Sequence, residues 1–451
     1  MRASSVPTAV TRNPEAAYRP KKHRNIFKKR LSLCGQPYYG GKDMTREAAE
    51  RKLAEYGQEH VLKYFDELDK EAQERLLSQI EETDLSVLKH IGDAEKGLKR
   101  GVFSPLKVMQ RAEILSREKE FHDEGVKVIR EGKTAALLLA GGMGTRLGSD
   151  NPKGMYDIGI NKPVYIFQRI IENLLDVVHE TDTWIHLFIM TSEANHDATV
   201  SFLKEKKFFG YKEDRVTFFK QSMAPACDHN GKLYMEDKGR LFTSPNGNGG
   251  WYSSMVRAGL DKVLSDEGIE WIDLFAVDNI LQRILDPCFV GATVLGSASV
   301  GAKVVKKAAP DEKIGVMCLE DGRPSIVEYY DLSQEMMDEK DENGDPAYNF
   351  GVILNYLFHV SELDRVSEDR MPLHVVEKKI KYMADDGSIV KPDKPNGYKF
   401  EQLVLDMIHQ LDSCLPYEVI REHEFAPIKN ATGVDSVESA RELALKDGIE
   451  L

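Results

Sequence analysis

A membrane-spanning helix needs about 20 consecutive apolar residues, and the 451-residue chain has no run near that length. No apolar segment of the kind that marks a secretory leader follows the N-terminus. The five cysteines are scattered and show neither a CxxC pair nor Cys/His spacing for a metal. We therefore expect no membrane association, no disulfide framework, no zinc site and a cytoplasmic location.

Negative charge dominates the chain as a whole, at −13, but not its first segment. Residues 1–43 carry ten Lys or Arg against two acids. Such a basic arm could contact nucleic acid or serve in targeting, yet it lacks the acid-poor amphipathic repeat of a transit peptide. Because charged tails usually remain solvated, we predict a disordered extension over 1–43 and no nucleic-acid partner. Nothing in the sequence specifies an oligomeric state.

Helical periodicity dominates residues 44–130. Apolar residues recur every three or four positions, first at Leu53, Tyr56, His60 and Tyr64 and then at Ala72, Leu76 and Ile80. Each segment has a single apolar face, so we predict a helical N-terminal region that packs on a larger unit.

A different rhythm follows over 131–385. Short apolar runs such as TAALLLA and IHLFIM alternate with helix-like segments such as PVYIFQRIIENLLDVV. This alternation is typical of strands joined by helical crossovers, which form a mostly parallel sheet with helices on both faces. We predict an α/β core over 131–385. Because prolines and turns interrupt the pattern at IVKPDKPNGYKF, we predict a small C-terminal α+β domain over 386–451.

The most informative stretch is AALLLAGGMGTRLGSDNPKGMY, residues 135–156, where an apolar strand runs into glycines. In open α/β folds such a loop lies at the carboxyl edge of the sheet, where ligands bind. Gly141, Gly142 and Gly144 let backbone N–H groups approach an anion, and Arg146 adds donors suited to phosphate. A glycine turn without a ligand is the alternative, but such a turn needs neither Arg146 nor Lys153.

Two common phosphate loops lack their signatures here. A dinucleotide fingerprint needs G-x-G-x-x-G at the start of a helix, whereas the glycines after Gly142 stand at 144 and 148, and Pro152 interrupts a helix. A Walker A loop needs G-x-x-x-x-G-K-[ST], but Lys153 is followed by Gly154. The loop favours a polyphosphate ligand and neither of these two classes.

The block LAGGMGTRLGSDNPKGMY resembles the signature of the UDP-N-acetylhexosamine pyrophosphorylases, a branch of the UDP-sugar pyrophosphorylases with the nucleotide-diphospho-sugar transferase fold. The resemblance continues in order through FFKQSMAP, SPNGNGGWY, VDNILQRILDPCFVG, KPDKPNGYKFEQLVLD and YEVIREHEFAPIKN, and it spans about residues 45–430. It implies a uridylyltransferase (a nucleotidyltransferase) that converts UTP and a sugar 1-phosphate to a UDP-sugar and pyrophosphate.

The resemblance also implies roles for four charged residues. Lys153 and Arg146 would offset charge on the α-phosphoryl group and the leaving pyrophosphate, and Lys399 would hold the sugar phosphate. Asp278 ends the apolar strand in FAVDNI, where an aspartate often only caps the following turn. The resemblance makes Asp278 the acid that holds Mg²⁺, a cation that prefers oxygen ligands.

Four further residues are expected at the uracil and the sugar. The amide of Gln221, after the strand VTFFK, can pair with the donor and acceptor edge of uracil, although an exposed glutamine alone would indicate nothing. The resemblance implies that Gln221 contacts uracil and places Pro225 close to the base. In PNGNGG, Gly247 permits flat contact and Asn248 can donate and accept, although a bare turn uses the same residue types. The resemblance implies that Gly247 and Asn248 contact uracil and sugar.

Sugar hydroxyls are the expected partners of Glu328 in IVEYY, unless it belongs to a solvated strand face. Val352 departs from the family pattern N-A-G-N, whose second Asn contacts the sugar. Valine cannot supply that hydrogen bond. The preferred sugar is therefore open among the N-acetylhexosamines, glucose and galactose.

We predict a UTP:sugar-1-phosphate uridylyltransferase that works by in-line attack of the sugar phosphate on the α-phosphorus of UTP. A UTP:glucose-1-phosphate or broad UDP-sugar pyrophosphorylase is the alternative. A non-catalytic UDP-sugar-binding protein is a rival that the presence of Lys153 and Asp278 argues against. A glycosyltransferase typically has a D-x-D metal pair, and VDN offers one Asp.

Overall fold

The computed structural model describes residues 44–93, 100–366 and 371–451, so the basic extension predicted over 1–43 lies outside the described residues. The described α-helices are α1 (Arg46–Ala54), α2 (Lys70–Glu82), α3 (Arg111–Ser116), α4 (Glu118–Arg130), α5 (Ile166–Thr181), α6 (His196–Glu205), α7 (Trp251–Arg257), α8 (Asp261–Glu267), α9 (Pro287–Leu295), α10 (Gln334–Asp338), α11 (Val360–Leu363), α12 (Val404–Gln410), α13 (Arg421–Glu424) and α14 (Val437–Lys446).

The described strands are β1 (Phe103–Pro105), β2 (Thr134–Leu139), β3 (His186–Thr191), β4 (Val216–Lys220), β5 (Met223–Asp228), β6 (Met235–Asp237), β7 (Arg240–Leu241), β8 (Thr243–Pro245), β9 (Trp271–Ala276), β10 (Val300–Lys306), β11 (Val316–Glu320), β12 (Arg323–Val327), β13 (Phe350–His359), β14 (His374–Lys378), β15 (Tyr382–Met383), β16 (Ile389–Val390), β17 (Gly397–Glu401) and β18 (Cys414–Glu418).

A ten-stranded mixed sheet forms the centre of the molecule. Its order is β1-β11-β13-β9-β2-β3-β4, with β12 beside β11, β10 beside β13, and β18 beside β10. The run β9-β2-β3-β4 is parallel, whereas β13 is antiparallel to both β9 and β10. This arrangement confirms the predicted α/β class.

Helices cover both faces of the parallel strands. Along β2 the side chains alternate, so Leu138 packs in one apolar cluster with Ile170 of α5, and Leu137 packs in another with Trp251 of α7. All six residues of β2 are buried. Burial on both faces explains why the sequence of this strand is a continuous apolar run.

The carboxyl ends of the parallel strands meet at one edge of the sheet. Gly141 follows the end of β2, Ser192 follows β3, Gln221 follows β4 and Asp278 follows β9. The edge that open α/β folds use for ligands therefore carries several of the residues predicted to form the site.

A second sheet, with the order β14-β17-β5-β8, supports the N-terminal helices. Leu53 of α1 and Leu76 of α2 share an apolar cluster with Phe400 of β17. The predicted face of α2 is confirmed, since its buried residues are Ala72, Leu76 and Ile80.

The expected helical face from Leu53 to Tyr64 is wrong in its second half. Helix α1 ends at Ala54, and Gly57 follows with a φ of +68°, a left-handed conformation that a continuing α-helix does not use. His60 then lies in one 3₁₀ turn, and Tyr64 directly precedes another.

The segment 386–451, predicted as a small C-terminal domain, contributes strands to both sheets. Strand β17 pairs with β14 and β5, and β18 runs parallel to β10 with Cys414 opposite Val300. The exact boundaries proposed for the domains stay a prediction. Within the described ranges, no helix is both long enough and apolar enough to cross a membrane.

Candidate active site

The loop after β2 folds back on itself and returns Lys153 to its glycines. The Gly144 N–H donates to the Asn151 carbonyl at 2.8 Å, and the Lys153 N–H donates to the Gly142 carbonyl at 3.1 Å. Residues 142–153 therefore form a closed loop at the edge of the sheet. The backbone of Lys153 is anchored to the same glycine segment that was predicted to bind phosphate.

Gly154 explains why no larger residue follows Lys153. An added Cβ at Gly154 would lie 2.3 Å from the ring of Phe167 in α5, so a side chain there would overlap the core. The loop is thus seated directly on a buried helix, which limits the positions available to Lys153.

Four charged side chains lie in the loop or next to it. Burial lowers the pKa of the partly buried Lys153, the carboxylate of Asp278 opposes that shift, and the positive charges of Arg146 and Lys429 add to it. Lys153 thus has two cations and one carboxylate as charged neighbours, and an anionic ligand would relieve the repulsion among the cations. The structure brings together Arg146, Lys153 and Asp278, as predicted from the sequence.

Lys429 reaches this cluster because the segment after α13 is fastened to the end of β9. The Ile428 N–H donates to the Asp278 carbonyl at 2.8 Å. The Asn279 side chain accepts from the Ala426 N–H at 2.9 Å and donates to the Glu424 carbonyl at 2.7 Å. Residues about 150 positions apart are thereby held side by side, as in a short strand pair.

Gln221 bridges the glycine loop and the PNGNGG turn. Its Nε2 donates to the Gly247 carbonyl at 2.5 Å. A Cβ added at Gly141 would come within 3.1 Å of the Gln221 Oε1. The structure therefore brings Gly141, Gln221 and Gly247 to one place, in line with the predicted binding of a nucleotide base there.

The PNGNGG turn is also braced against the start of α12. The Gly249 N–H donates to the Gln402 carbonyl at 2.8 Å, and the Asn248 Oδ1 accepts from the Val404 N–H at 3.0 Å. Gly247 has a φ of +89°, and a Cβ there would lie 2.2 Å from the Gln402 carbonyl oxygen. The acceptor of Asn248 thus already has a protein partner, which leaves its Nδ2 as the group available to a ligand.

Pro225 and Lys399 lie in the second sheet. Pro225 is buried on β5 opposite Thr243, and Lys399 on β17 lies opposite Ala226 of the same strand β5. Burial lowers the pKa of Lys399, with Glu401 and Lys378 as its charged neighbours. Lys399 therefore belongs to a different group of charges from Lys153, and its contact with a sugar phosphate stays a prediction.

Glu328 and Val352 are brought together beside Gly315. The Val352 N–H on β13 donates to the Gly315 carbonyl at 2.9 Å. A Cβ added at Gly315 would lie 3.6 Å from both the Glu328 Oε1 and the Val352 Cγ2. The two residues predicted at the sugar therefore share one surface, although the chain between them includes α10.

The Glu328 carboxylate accepts no hydrogen bond from a protein group among the described residues, and its charged neighbours act on it through space. Burial raises its pKa, and the nearby acids Asp331 and Asp406 raise it further. Asp406 is paired with His374, whose Nε2 lies 2.7 Å from its Oδ2. A partly buried, unpaired carboxylate beside these groups is suited to accept hydrogen bonds from a hydroxyl-rich ligand.

Comparison with known proteins agrees with this geometry. The family model described as UTP--glucose-1-phosphate uridylyltransferase matches residues 97–443. The chain belongs to this uridylyltransferase family. The chain is 36% identical over 409 residues to UDP-N-acetylhexosamine pyrophosphorylase-like protein 1 of Mus musculus, covering 85% of this chain and 80% of that protein.

Two further relatives of this chain have similar names. UDP-N-acetylglucosamine diphosphorylase 2 of Arabidopsis thaliana is 36% identical over 426 residues, covering 89% of this chain and 83% of that protein. The crystal structure of the uridine diphosphate N-acetylglucosamine pyrophosphorylase from Trypanosoma brucei in complex with an inhibitor matches with a TM-score of 0.75 and 26% identity, covering 91% of this chain and 86% of that one.

The sequence alone did not identify Lys429 as part of the site, nor the pair of His374 and Asp406. Lys429 lies in the block YEVIREHEFAPIKN, which was recognised only as part of the resemblance. In the sequence it is a single lysine before a turn, and nothing distinguishes it from other surface lysines. His374 and Asp406 stand 32 positions apart, and only the pairing of β14 with β17 brings them together.

Proposed function

We propose that this chain catalyses uridylyl transfer from UTP to a sugar 1-phosphate, with N-acetylglucosamine 1-phosphate as the preferred acceptor, to form a UDP-sugar and pyrophosphate. The observation that carries the proposal is the group of Arg146, Lys153, Lys429 and Asp278 around the glycine loop. A triphosphate placed there would meet backbone N–H groups and three cations. The Arabidopsis thaliana and Trypanosoma brucei relatives have N-acetylglucosamine in their names, which supports the choice of sugar.

The uracil would lie between the glycine loop and the PNGNGG turn. Gln221 can offer its amide edge there, because its side chain is held at the Gly247 carbonyl. A flat base would lie against the backbone of Gly141 and Gly247, and the Nδ2 of Asn248 remains available as a donor. Pro225 would border the base from the second sheet.

The reaction forms one bond and breaks one bond at the same phosphorus. A phosphate oxygen of the sugar 1-phosphate attacks the α-phosphorus of UTP in line, and the bond from that phosphorus to the bridging oxygen of pyrophosphate breaks. The attacking phosphate is ionised near neutral pH, so no general base is needed. Lys153 and Arg146 stabilise the charge that develops on the α-phosphoryl group and the leaving pyrophosphate.

Asp278 fits the requirements of a Mg²⁺ site that the substrate completes. No group of three or more His, Cys, Asp or Glu side chains converges among the described residues, and Mg²⁺ is often held by one or two carboxylates together with substrate phosphates and water. The carboxylate of Asp278 beside Lys153 offers such a ligand. When bound, Mg²⁺ would offset phosphate charge and help to orient the triphosphate.

Glu328 would accept hydrogen bonds from the sugar hydroxyls, and Lys399 would contact the sugar phosphate. Val352 is the observation that favours a second candidate, a broad UDP-sugar pyrophosphorylase that also accepts glucose or galactose 1-phosphate. An apolar methyl surface at this position offers no hydrogen bond that selects one sugar. The cytoplasmic location inferred from the cysteines is part of the proposal.

A panel of acceptors tests the proposal directly. The protein is incubated with UTP, Mg²⁺ and one of N-acetylglucosamine, N-acetylgalactosamine, glucose or galactose 1-phosphate, and released pyrophosphate is measured. We expect the fastest release with N-acetylglucosamine 1-phosphate, loss of release with EDTA, and little release when ATP replaces UTP. Absence of release with every acceptor would refute the transferase and favour a UDP-sugar-binding protein.

A further inference from the structure

Asn195 has a buried side-chain amide and is not among the residues proposed to bind the substrates. Asn195 directly precedes α6 and is 0% exposed. An asparagine at this position usually accepts a hydrogen bond from the first turn of its own helix. Here the side chain makes no such bond. It turns away from α6 and contacts the glycine loop.

Three hydrogen bonds fix the orientation of this amide. The Asn195 Oδ1 accepts from the Ser192 N–H at 2.8 Å, and the Nδ2 donates to the carbonyls of Ala140 at 2.9 Å and Gly142 at 3.3 Å. The amide therefore links the end of β3 to the two carbonyls on either side of Gly141. This pattern requires one acceptor and two donors on a short side chain, which asparagine supplies.

The two captured carbonyls determine where the next N–H groups point. Because a trans peptide is planar, its N–H points away from its C=O. Holding the Ala140 and Gly142 carbonyls on the protein side therefore turns the N–H groups of Gly141 and Met143 to the opposite side. In the part of the chain that the structure describes, neither N–H donates to a protein acceptor.

The same amide also supports the backbone of Lys153. The Gly142 carbonyl that accepts from Asn195 accepts from the Lys153 N–H as well. Loss of the amide would leave this carbonyl with one partner and free the glycine segment to rotate. Lys153 and the N–H groups of the loop would then no longer be held in fixed positions relative to each other.

We propose that Asn195 is a positioning residue for the phosphate loop. It holds the carbonyls of Ala140 and Gly142 inward, so that the N–H groups of Gly141 and Met143 and the side chain of Lys153 are arranged for the triphosphate of UTP. The inference rests on the proposed function and concerns UTP alone, because the hydrogen bonds of the Asn195 side chain go to Ser192 and to the glycine loop.

Two variants, Asn195→Asp and Asn195→Ala, test whether Asn195 positions the phosphate loop. Asn195→Asp places a carboxylate against two carbonyls and near the phosphates. At about pH 8 we expect the KM for UTP to rise about tenfold or more, while the KM for the sugar 1-phosphate stays within about twofold. As pH falls to about 6, the introduced carboxyl, whose pKa burial raises, takes up a proton and can donate again. Activity relative to wild type should then partly recover in Asn195→Asp and not in Asn195→Ala.

Gln58 offers a matched control far from the loop. Its buried amide donates to the carbonyls of Tyr56 and Gly231 and accepts from the Leu233 N–H, all at 2.9 Å. Gln58→Glu should lower the thermal unfolding temperature, as we also expect for the Asn195 variants, and leave the KM for UTP unchanged. Thermal unfolding of each variant shows that it is folded under assay conditions.

The outcomes separate this inference from the proposed function. An unchanged KM for UTP in both Asn195 variants overturns the inference, and so does an equal rise in the KM for both substrates. An equal rise in Gln58→Glu overturns it as well, since the effect would then be general loss of stability. If wild type releases no pyrophosphate with any acceptor, the proposed function itself fails.

Discussion

Cations meet at the end of the candidate site that we propose for the triphosphate, here called the phosphate end, whereas acids meet at the end that we propose for the sugar, the sugar end. Lys153 has Arg146, Lys429 and Asp278 as its charged neighbours. Glu328 lies near Asp331 and Asp406, and the charge of Arg100 opposes its raised pKa. The two ends therefore suit opposite ligand groups. One suits anionic oxygens that need positive charge, and the other suits hydroxyl groups that need acceptors.

The two ends also differ in how the chain builds them. Arg146 and Lys153 belong to one short loop after β2, so the phosphate end is largely local in sequence. The sugar end is assembled from Gly315, Glu328 and Val352 with α12 and β14 beside them. Charge neutralisation tolerates some variation in position, whereas hydroxyl recognition depends on distances set by several elements.

The largest effect is expected from removing the central cation of the phosphate end. Lys153→Ala should lower kcat about a thousandfold, since a group that stabilises developing charge is lost. Pyrophosphate release under saturating substrates measures the change. The matched control is Lys162→Ala, which removes an exposed lysine whose Nζ lies 3.4 Å from Glu450 and should leave kcat unchanged.

A pH profile sharpens this prediction. Burial lowers the pKa of Lys153, so its charge is present below that pKa and is lost as pH rises through it. The kcat/KM of wild type for UTP, which reports the ligand-free enzyme, should fall on the alkaline side below the ordinary lysine pKa of about 10.4. Lys153→Arg should remain charged and shift that decline upward. A kcat within about tenfold of wild type in Lys153→Ala would contradict the role.

A smaller and more selective effect is expected at the sugar end. Glu328→Gln should raise the KM for the sugar 1-phosphate about tenfold, because a charged acceptor is replaced by a neutral one, and leave the KM for UTP nearly unchanged. Burial raises the pKa of Glu328, so the acceptor is available above that pKa and is lost as pH falls through it. The wild-type KM for the sugar should therefore rise toward acidic pH, and the variant should lack this rise.

Glu335→Gln in the first turn of α10 is the control for this variant, since Glu335 is exposed. Equal changes in the KM for both substrates after Glu328→Gln would contradict the division of the site into two ends.

The smallest effect is expected at Val352. Val352→Asn restores an amide beside Glu328 and should raise the ratio of kcat/KM for N-acetylglucosamine 1-phosphate over glucose 1-phosphate about fivefold. Val352→Ala removes the side chain without adding a donor and should not change the ratio. Competition between the two acceptors, with quantification of both UDP-sugars, measures it. An unchanged ratio in Val352→Asn would show that this position does not select the sugar.

Much of the fold was predictable from the sequence. The helix PVYIFQRIIENLLDVV appears as α5, and TAALLLA and IHLFIM appear as parallel strands, because runs buried on one or two faces leave clear apolar patterns. The face of α2 was also predicted correctly. The helical pattern after Leu53 was misleading, since Gly57 breaks the helix and the remaining apolar residues pack from 3₁₀ turns.

The candidate site was predictable only in part. Arg146, Lys153 and Gly141 stand out because they share a glycine-rich loop, and Asp278 because it ends an apolar strand, whereas Gln221 was indicated only by the resemblance. The proposed ligand contacts of these residues stay predictions. Lys429 joins the cluster because a hydrogen bond from the Ala426 N–H to the Asn279 side chain holds the two segments together. No local sequence pattern indicates such a long-range hydrogen bond.

The sequence by itself determined the apolar strands, the parallel strands β2 and β3 of the α/β core and a glycine loop with neither dinucleotide nor Walker spacing, because these depend on periodicity and on spacing within a few residues. Tertiary structure decided which distant side chains face that loop. Asn195 reaches the carbonyls of Ala140 and Gly142 only because β3 lies beside β2. Strand pairing brings residues together without regard to their separation along the chain, so their placement follows from the packed sheet.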